Sequence, residues 1–320
     1  MANITDVSRL ANVSKATVSR VLSGNRGVRE ESRLAVLQAV EQLNYRPNAL
    51  ARSLANQTTD CIGVVLSARD TGRLTQLLPL LESELSRHNR HMLVRFADGA
   101  ARQQEALDEL LGGRCDAVLL IGADTALHAD DRVVQLDGID GASAINLSYD
   151  YAFACESACR FLLGKGHRQI ALLSAQLNTP IGLQMVQGYQ QALQLQSLPY
   201  NRQLVLEAGE HQQALLGLLN RYLPFTALVV QQDAMAAEAM RLLREFNLQV
   251  PHDVSLISLE GSSLAEQLNP PLTCIEYPSD RLAEEAVRMT VQLLDGHALP
   301  STEQQRFSGR LVSRDSVQSR

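Results

Sequence analysis

Short apolar runs return at intervals through residues 61–259, and stretches of helical length separate several of them. The runs are Cys61–Leu66, His91–Phe96, Ala117–Ile121, Val133–Leu136, Ile170–Leu173, Ala227–Val230 and Val254–Leu259. Bounded runs of this length read as strands buried on both faces. Amphipathic segments lie between several of them at Leu74–Arg87, Gln103–Leu111, Tyr151–Leu163, Gly182–Leu195 and Ala234–Phe246. Strands alternating with helices predict parallel sheets with helices on both faces. The runs are too many for one sheet of ordinary width, so two lobes are expected. A ligand would bind at the carboxyl ends of the strands, in the cleft between the lobes.

The first 57 residues have a different character. They hold eight Arg/Lys (Arg9, Lys15, Arg20, Arg26, Arg29, Arg33, Arg46, Arg52) against Asp6, Glu30, Glu31 and Glu41, a net of +4. The whole chain of 320 residues carries −6, which leaves −10 for the rest. A basic head on an acidic body is the footprint expected when one domain alone touches phosphate.

The head reads as an all-α helix-turn-helix unit. Asn3 is a good N-cap for a helix over Ile4–Leu10, with Ile4, Val7, Leu10 and Ala11 at helical spacing. Asn12 suits the left-handed residue of a tight turn. Ser14 then caps a second helix, Lys15–Leu22, with Val18, Val21 and Leu22 inward. Its outer face is Lys15, Ala16, Thr17, Ser19 and Arg20. Lys and Arg can read guanine edges in the major groove, and a small Ala can touch a thymine methyl. The Ser and Thr hydroxyls suit phosphate oxygens, which set register. Ser23 to Gly27 is a loop. A third helix spans Glu30–Leu43, with acidic residues in its first turn and an apolar stripe of Leu34, Leu37 and Val40. Pro47 stops it. Asn48 caps a further short segment through Asn56 that is too short to be stable alone in water. It is expected to fold only when DNA or a partner copy supports it, with Leu54 as an apolar wedge in the minor groove.

These residues resemble the Lac/Gal repressor family. The matching string runs from Ile4-Thr5-Asp6-Val7 through Val13-Ser14-Lys15-Ala16-Thr17-Val18-Ser19-Arg20-Val21-Leu22. It resumes at Asn44-Tyr45-Arg46-Pro47-Asn48-Ala49-Leu50-Ala51-Arg52-Ser53-Leu54. The resemblance implies base contacts from Lys15, Ala16 and Arg20, and a hinge helix from Asn48 to Leu54 with Leu54 intercalating. Asn3, Ser14, Thr17, Ser19, Asn48, Ala51 and Arg52 complete the candidate DNA-binding set. Arg29 departs from the family's usual Ser or Thr cap on the third helix. Weaker likeness runs on through Lys165 to Leu173, Thr226 to Ala236, Val250 to Thr273 and Arg314-Asp315-Ser316. It implies a two-lobed body like a periplasmic binding protein, built on two doubly wound parallel sheets. The expected domains are residues 1–47, a hinge at 48–57, and a body at 58–320.

The effector candidates implied by that likeness are Ser67, Thr71, Asp137, Met185, Gln232 and Glu260. Met185 stands where the family has a sugar-gripping Arg, Gln232 where it has Asn, and Glu260-Gly261 where it has an Asp pair. A planar Arg fork holds a polyol by paired hydrogen bonds, and Met cannot replace it. Segment Ala123–Asp131 is also short for the usual helix.

Other chemistry is not evident. No Gly-rich phosphate loop follows a strand, and there is no Gly-x-Ser-x-Gly or His-Glu-x-x-His motif. The five cysteines (Cys61, Cys115, Cys155, Cys159, Cys274) are scattered and form no disulfide or metal pattern; Cys155 and Cys159 read as buried thiols. His167, after Gly166 at a helix end, reads as a C-terminal dipole or cap partner. No cofactor or metal is expected.

The expectation is therefore a cytoplasmic, homodimeric repressor of a carbohydrate-related operon. It binds a pseudo-palindromic double-stranded operator and responds to a sugar or sugar-derived ligand in the cleft. Lack of a secretory signal, a membrane span and a heptad tail enters that expectation. An effector-independent repressor with a degenerate pocket is the runner-up. A sugar-binding protein without a DNA role and a doubly wound enzyme are the rivals from other classes.

Overall fold

Asn3 opens the head by closing a reciprocal cap. Its Oδ1 accepts from the Thr5 and Asp6 amides at 2.8 and 3.2 Å, and Asp6 Oδ2 accepts from the Asn3 amide at 2.9 Å. Helix α1 (Ile4–Leu10) follows. Asn12 takes the left-handed conformation, with φ of 48°. Ser14 Oγ accepts from the Thr17 amide at 3.1 Å at the start of α2 (Lys15–Leu22). The computed structural model describes residues 2–22, 27–45, 58–67, 71–122, 130–137, 145–208, 213–220, 224–297 and 303–320. The expected hinge segment, with Asn48, Ala51, Arg52 and Leu54, lies outside the described residues.

Helix α3 (Glu30–Gln42) begins at Arg29, which makes no side-chain cap bond. The expected stripe on this helix is corrected. Val36 and Ala39 are buried with Val7, Ala11 and Val18, and Val40 packs beside them. Leu34 and Leu37 are exposed. At 3.6 residues per turn, 36, 39, 40 and 43 share one face, and α1 and α2 pack on that one.

The chain divides into two compact units, residues 1–59 and 60–320. The second holds two six-stranded sheets. The first-lobe strands are β1 (Cys61–Leu66), β2 (His91–Phe96), β3 (Ala117–Ile121), β4 (Val133–Leu136) and β5 (Ile145–Tyr149). The second-lobe strands are β6 (Ile170–Ser174), β7 (Val205–Glu207), β8 (Ala227–Val230), β9 (Ser255–Ser258) and β10 (Thr273–Glu276). The chain then returns, placing β11 (Glu303–Phe307) in the first sheet and β12 (Arg310–Val312) in the second. The orders are β11-β5-β4-β3-β1-β2 and β12-β10-β9-β8-β6-β7. Every pairing is parallel except β10 with β12. The expected parallel sheets are present, and β12 adds one antiparallel strand at the edge of the second.

Helices cover both sheets: α4 (Thr71–Arg87) and α5 (Ala100–Leu111) in the first lobe, α6 (Tyr151–Gly164), α7 (Pro180–Leu195), α8 (Gln213–Asn220), α9 (Asp233–Glu245) and α10 (Ser263–Gln267) after it, and α11 (Ser279–Leu294) on the return. The central strands β3, β4, β5, β6, β8 and β9 are buried at every residue, as coverage of both faces requires. The edge strands β2, β7 and β12 are more open, with Phe96 of β2 57% exposed.

The C-terminal segment is strapped onto the second lobe. The Leu256 amide donates to the Ser316 carbonyl at 2.9 Å, and Ser316 Oγ donates back to the Leu256 carbonyl at 2.6 Å. The Arg320 amide donates to the Lys165 carbonyl at 2.8 Å. His167 is a helix-end partner, its amide donating to the Leu162 carbonyl of α6 at 3.1 Å, and its ring takes part in the strap as well. Its ring is fully buried, with Nε2 3.0 Å from the Gln318 carbonyl and Nδ1 2.9 Å from Thr226 Oγ1. A neutral ring satisfies both contacts, Nε2–H donating to the carbonyl and Nδ1 accepting from the threonine hydroxyl.

Burial holds the His167 pKa below its ordinary 6.5, and Arg320 adds to that shift. The unfolded chain therefore takes up a proton at higher pH than the folded one. The stability contributed by the neutral ring is complete above about pH 6.5 and declines as pH falls through the folded pKa. Urea midpoints measured between pH 7.5 and 5.5 are expected to fall in the wild type and to fall less in His167→Gln. Equal slopes in the two proteins would contradict this account.

Candidate DNA-reading face and inter-lobe cleft

In the head, the cap residues and the reading face separate cleanly. Asn3 and Ser14 are exposed, but both are engaged at helix starts. Ser14 Oγ also lies 2.9 Å from Thr17 Oγ1. Lys15, Ala16, Ser19 and Arg20 are exposed on α2, and Thr17 is half-buried. Val18, on the opposite side, is fully buried and anchors the helix. Neither Lys15 nor Arg20 makes an ion pair among the described residues. The face thus presents two uncommitted cations, one methyl and two hydroxyls on a single short helix. A helix of that composition matches the width and donor pattern of a DNA major groove.

In the body, the cleft lies at the carboxyl ends of the strands. Tyr149 ends β5, Gln231 and Gln232 follow β8, Leu259 and Glu260 follow β9, and Tyr277 follows β10. Helices complete the wall with Gln76, Ile181 and Ser279. Three of the seven tyrosines meet here. Tyr149 stacks on Tyr277 with centroids 4.3 Å apart, and Tyr151 leans against both at 6.1 and 5.6 Å. Tyr149 Oη donates to Ser279 Oγ at 2.8 Å. Gln76 Nε2 reaches the Gly261 carbonyl at 3.2 Å, tying the first lobe to the second. Glu260 Oε2 accepts from the Asp233 amide at 2.7 Å, at the N-terminus of α9. The free volume left in the cleft is about 60 Å³, enough for a few waters and too little for a hexose.

The expected effector residues fare unequally. Gln232 and Glu260 line the cleft. Met185 does not: it is fully buried in the core on the inner face of α7, alongside Tyr189 and Ala192. Asp137 stands behind the wall. It is 5% exposed and left-handed, and it accepts from the Tyr149 amide at 2.8 Å and the Tyr151 hydroxyl at 3.2 Å. Its role there is to fix two of the three tyrosines. Ser67 Oγ donates to Asp98 Oδ1 at 2.5 Å and is not part of the lining. Thr71 opens α4, and segment 123–129 lies outside the described residues. The lining residues not anticipated include Gln76, Tyr149, Tyr151, Gln231, Tyr277 and Ser279.

Tyr277 Oη is buried and has no hydrogen-bond partner among the described residues. Burial pushes its pKa well above the ordinary value, with Tyr151 and Asp137 adding to the effect. The group therefore stays a neutral O–H donor with nothing to donate to. Tyr277→Phe is expected to leave stability unchanged or raise it by about 1 kcal/mol, because the lost hydroxyl carries a desolvation cost and no bond. Tyr149→Phe, which gives up the Ser279 bond, is expected to lower it by a similar amount, about 1 kcal/mol. Urea unfolding of the two variants checks the contrast; a clear loss in Tyr277→Phe would show that the hydroxyl has a partner.

Among the described residues no helix is long and apolar enough to cross a membrane, and no cluster of His, Cys, Asp or Glu is placed to hold a metal ion.

A helix-turn-helix head on a two-lobed α/β body is the architecture of a ligand-responsive DNA-binding transcriptional regulator. Two family models match, that of the lacI family of bacterial regulatory proteins over residues 3–48 and that of the periplasmic binding protein-like domain over residues 159–317. The chain is 33% identical to the HTH-type transcriptional regulator GalR of Escherichia coli strain K12, covering 99% of this chain and 96% of that one. It is 30% identical to the HTH-type transcriptional regulator AscG of the same strain, covering 99% and 98%. The crystal structure of the Lac repressor dimer bound to operator and the anti-inducer ONPF shares the fold, with a TM-score of 0.85, 24% identity and 99% coverage of both chains. The chain belongs to the LacI family of bacterial transcriptional regulators.

Proposed function

We propose that this regulator is a cytoplasmic repressor without enzymatic activity, binding a pseudo-palindromic operator as a homodimer and controlling a carbohydrate-related operon. The exposed cationic face of α2 is the observation that carries the reading. Lys15, Ala16 and Arg20 contact base edges, while Asn3, Ser14, Thr17 and Ser19 lie toward the phosphates. Asn48, Ala51, Arg52 and Leu54 form the hinge, with Leu54 wedging a base step. Two-fold symmetry of the protein imposes two-fold symmetry on the site. The names of the relatives support the operon class: they include GalR, AscG and a ribose operon repressor of Haemophilus influenzae.

In this reading a sugar or sugar-derived effector enters the cleft against Gln232 and Glu260 and shifts the balance between two lobe arrangements. A ligand that prefers one arrangement shifts DNA affinity by its differential binding. A second reading is favoured by a specific observation. The cleft is filled by Tyr149, Tyr151 and Tyr277, is bridged from Gln76 to Gly261, and has no Arg at Met185. A body closed in this way represses without a small effector.

One screen separates the two. Thermal midpoints of the full chain are measured against neutral sugars, sugar phosphates and glycosides, and each hit is retested for its effect on operator affinity. A saturable shift that changes operator affinity supports the effector-dependent reading. Unchanged midpoints throughout, with operator binding intact, support the self-closed body.

A further inference from the structure

We infer that Cys61 and Cys115 form an oxidation site, a thiol pair that closes to a disulfide under peroxide. The two sulfurs lie 3.7 Å apart. Neither cysteine is in a disulfide. Cys61 begins β1, and Cys115 stands two residues before β3, the strand beside it. The Cys61 carbonyl accepts from the Asp116 amide at 2.8 Å, which holds the two backbones at parallel-strand spacing. Cys115 immediately precedes Asp116, whose amide bonds the Cys61 carbonyl, so closure requires the sulfurs to draw together from 3.7 Å by side-chain rotation.

The surroundings divide the work between the two. Cys61 is half-buried and Cys115 is 3% exposed, so oxidant meets Cys61 first. The Cys115 thiol donates to the Cys61 sulfur and thereby favours the thiolate there, holding its pKa below the ordinary value against burial and the Asp116 charge. The Arg90 Nη1 group bonds Asp60 Oδ1 at 3.1 Å and Asp116 Oδ2 at 3.0 Å, which offsets both neighbouring carboxylates. Gly63 keeps the neighbouring space open; a Cβ there would sit 2.8 Å from Leu110 Cδ1 and 3.5 Å from Cys115 Sγ.

The step balances with hydrogen peroxide as the oxidant. The Cys61 thiolate attacks one peroxide oxygen, the O–O bond breaks, and with one proton the products are a sulfenic acid and water. The Cys115 sulfur then attacks the sulfenic sulfur, losing its proton as the S–O bond breaks and a second water leaves. Two thiols and one peroxide give one disulfide and two waters. The remaining cysteines are excluded by burial: Cys155, Cys159 and Cys274 are all 0% exposed. Position gives the modification a consequence. Cys61 is the first strand residue after the linker, so the disulfide ties the strand that the linker feeds to its neighbour.

The test treats the full chain with hydrogen peroxide, alkylates free thiols under denaturing conditions, and maps peptides by mass. The expected product is a Cys61–Cys115 linked peptide pair with the other three cysteines alkylated, reversed by dithiothreitol. In Cys115→Ser the same treatment is expected to leave a Cys61 sulfenic acid that dimedone traps, with no cross-link. Cys115→Ala, run in parallel, reports the same trapping with a small apolar residue in the core. Peroxide that carries wild-type Cys61 to sulfinic acid without any cross-link overturns the proposal, as does a cross-link joining either residue to another cysteine.

Discussion

Gly188→Ala is expected to destabilise the body strongly. Gly188 sits on α7 where that helix crosses α6. A Cβ there would lie 2.0 Å from the Ala152 carbonyl oxygen and 2.9 Å from the Ala152 carbonyl carbon and Glu156 amide nitrogen. These are backbone atoms within a helix, so no side chain can swing aside. The helices would have to separate, and the α6 residues nearest in sequence to the clash are small. Ala154, Cys155, Ala158 and Cys159 from α6 are buried in the same core as Met185, Tyr189 and Ala192 from α7. Overpacking at a backbone contact of this kind is expected to cost about 3 kcal/mol or more. For a unit of this size that lowers the thermal midpoint by roughly 6–12 °C. Gly164→Ala is the control. Gly164 closes α6 with nothing within 4 Å of a built Cβ. Alanine there should be neutral or stabilising by less than about 1 kcal/mol. A Gly188→Ala midpoint equal to that control would show that the two helices are not in contact as described.

Arg20→Ala is expected to weaken operator binding by roughly 1–3 kcal/mol, or about 5- to 150-fold. Arg20 is exposed on α2 and commits its guanidinium to no ion pair among the described residues, so the loss falls on DNA and not on the fold. Val18, Val7 and Val36 still hold the helix in place. The effect should be specific in kind. An Arg that reads a guanine edge contributes discrimination at one base pair, whereas one on phosphate weakens all sequences alike and reduces the salt slope. Fluorescence anisotropy at fixed salt, with the operator and its single-pair variants, distinguishes the two. Relaxed preference at one position is the expected result. A uniform loss across all variants would place Arg20 on the backbone.

The elements that sequence revealed were those whose hydrophobicity was undiluted. The buried central strands β1, β3 and β8 stand out because both faces are covered and no polar residue interrupts them, and β4 and β6 carry only one polar residue each, Gln135 and Ser174. Strand β5 (Asn146 and Ser148 buried within it) carried no such signal, although it is as deeply buried. Strand β11 is polar and β12 is only three residues long, and both are edge strands whose partners lie far away in sequence. Helix α11 buries Leu282, Ala283, Ala286, Val287 and Met289, but its charged outer face hides that stripe among Asp, Glu and Arg. In the head, caps located both helix starts, while α3 misled because large leucines look like core and small Val36 and Ala39 are the core.

The sites divide along the same line. The α2 face was legible because it is local, five residues on one short helix. The cleft was not, because it is assembled from the ends of strands distributed over both lobes. Gln232 and Glu260 were named by likeness to the family, at positions that follow strands. Tyr149, Tyr151 and Tyr277 become one aromatic cluster only when β5 and β10 are brought together. Met185 shows the converse: the position corresponds to a ligand contact by likeness, but its side chain fills the core.

The central claim is that this chain reads a two-fold symmetric operator through α2. The most direct measurement is selection of fragmented genomic DNA by the full chain, followed by nuclease protection of the recovered sites. The account predicts a protected pseudo-palindrome whose protection is lost at matched concentration in Arg20→Ala. Recovery of no common palindrome, or protection unchanged by removing the residue 1–59 unit, would contradict it.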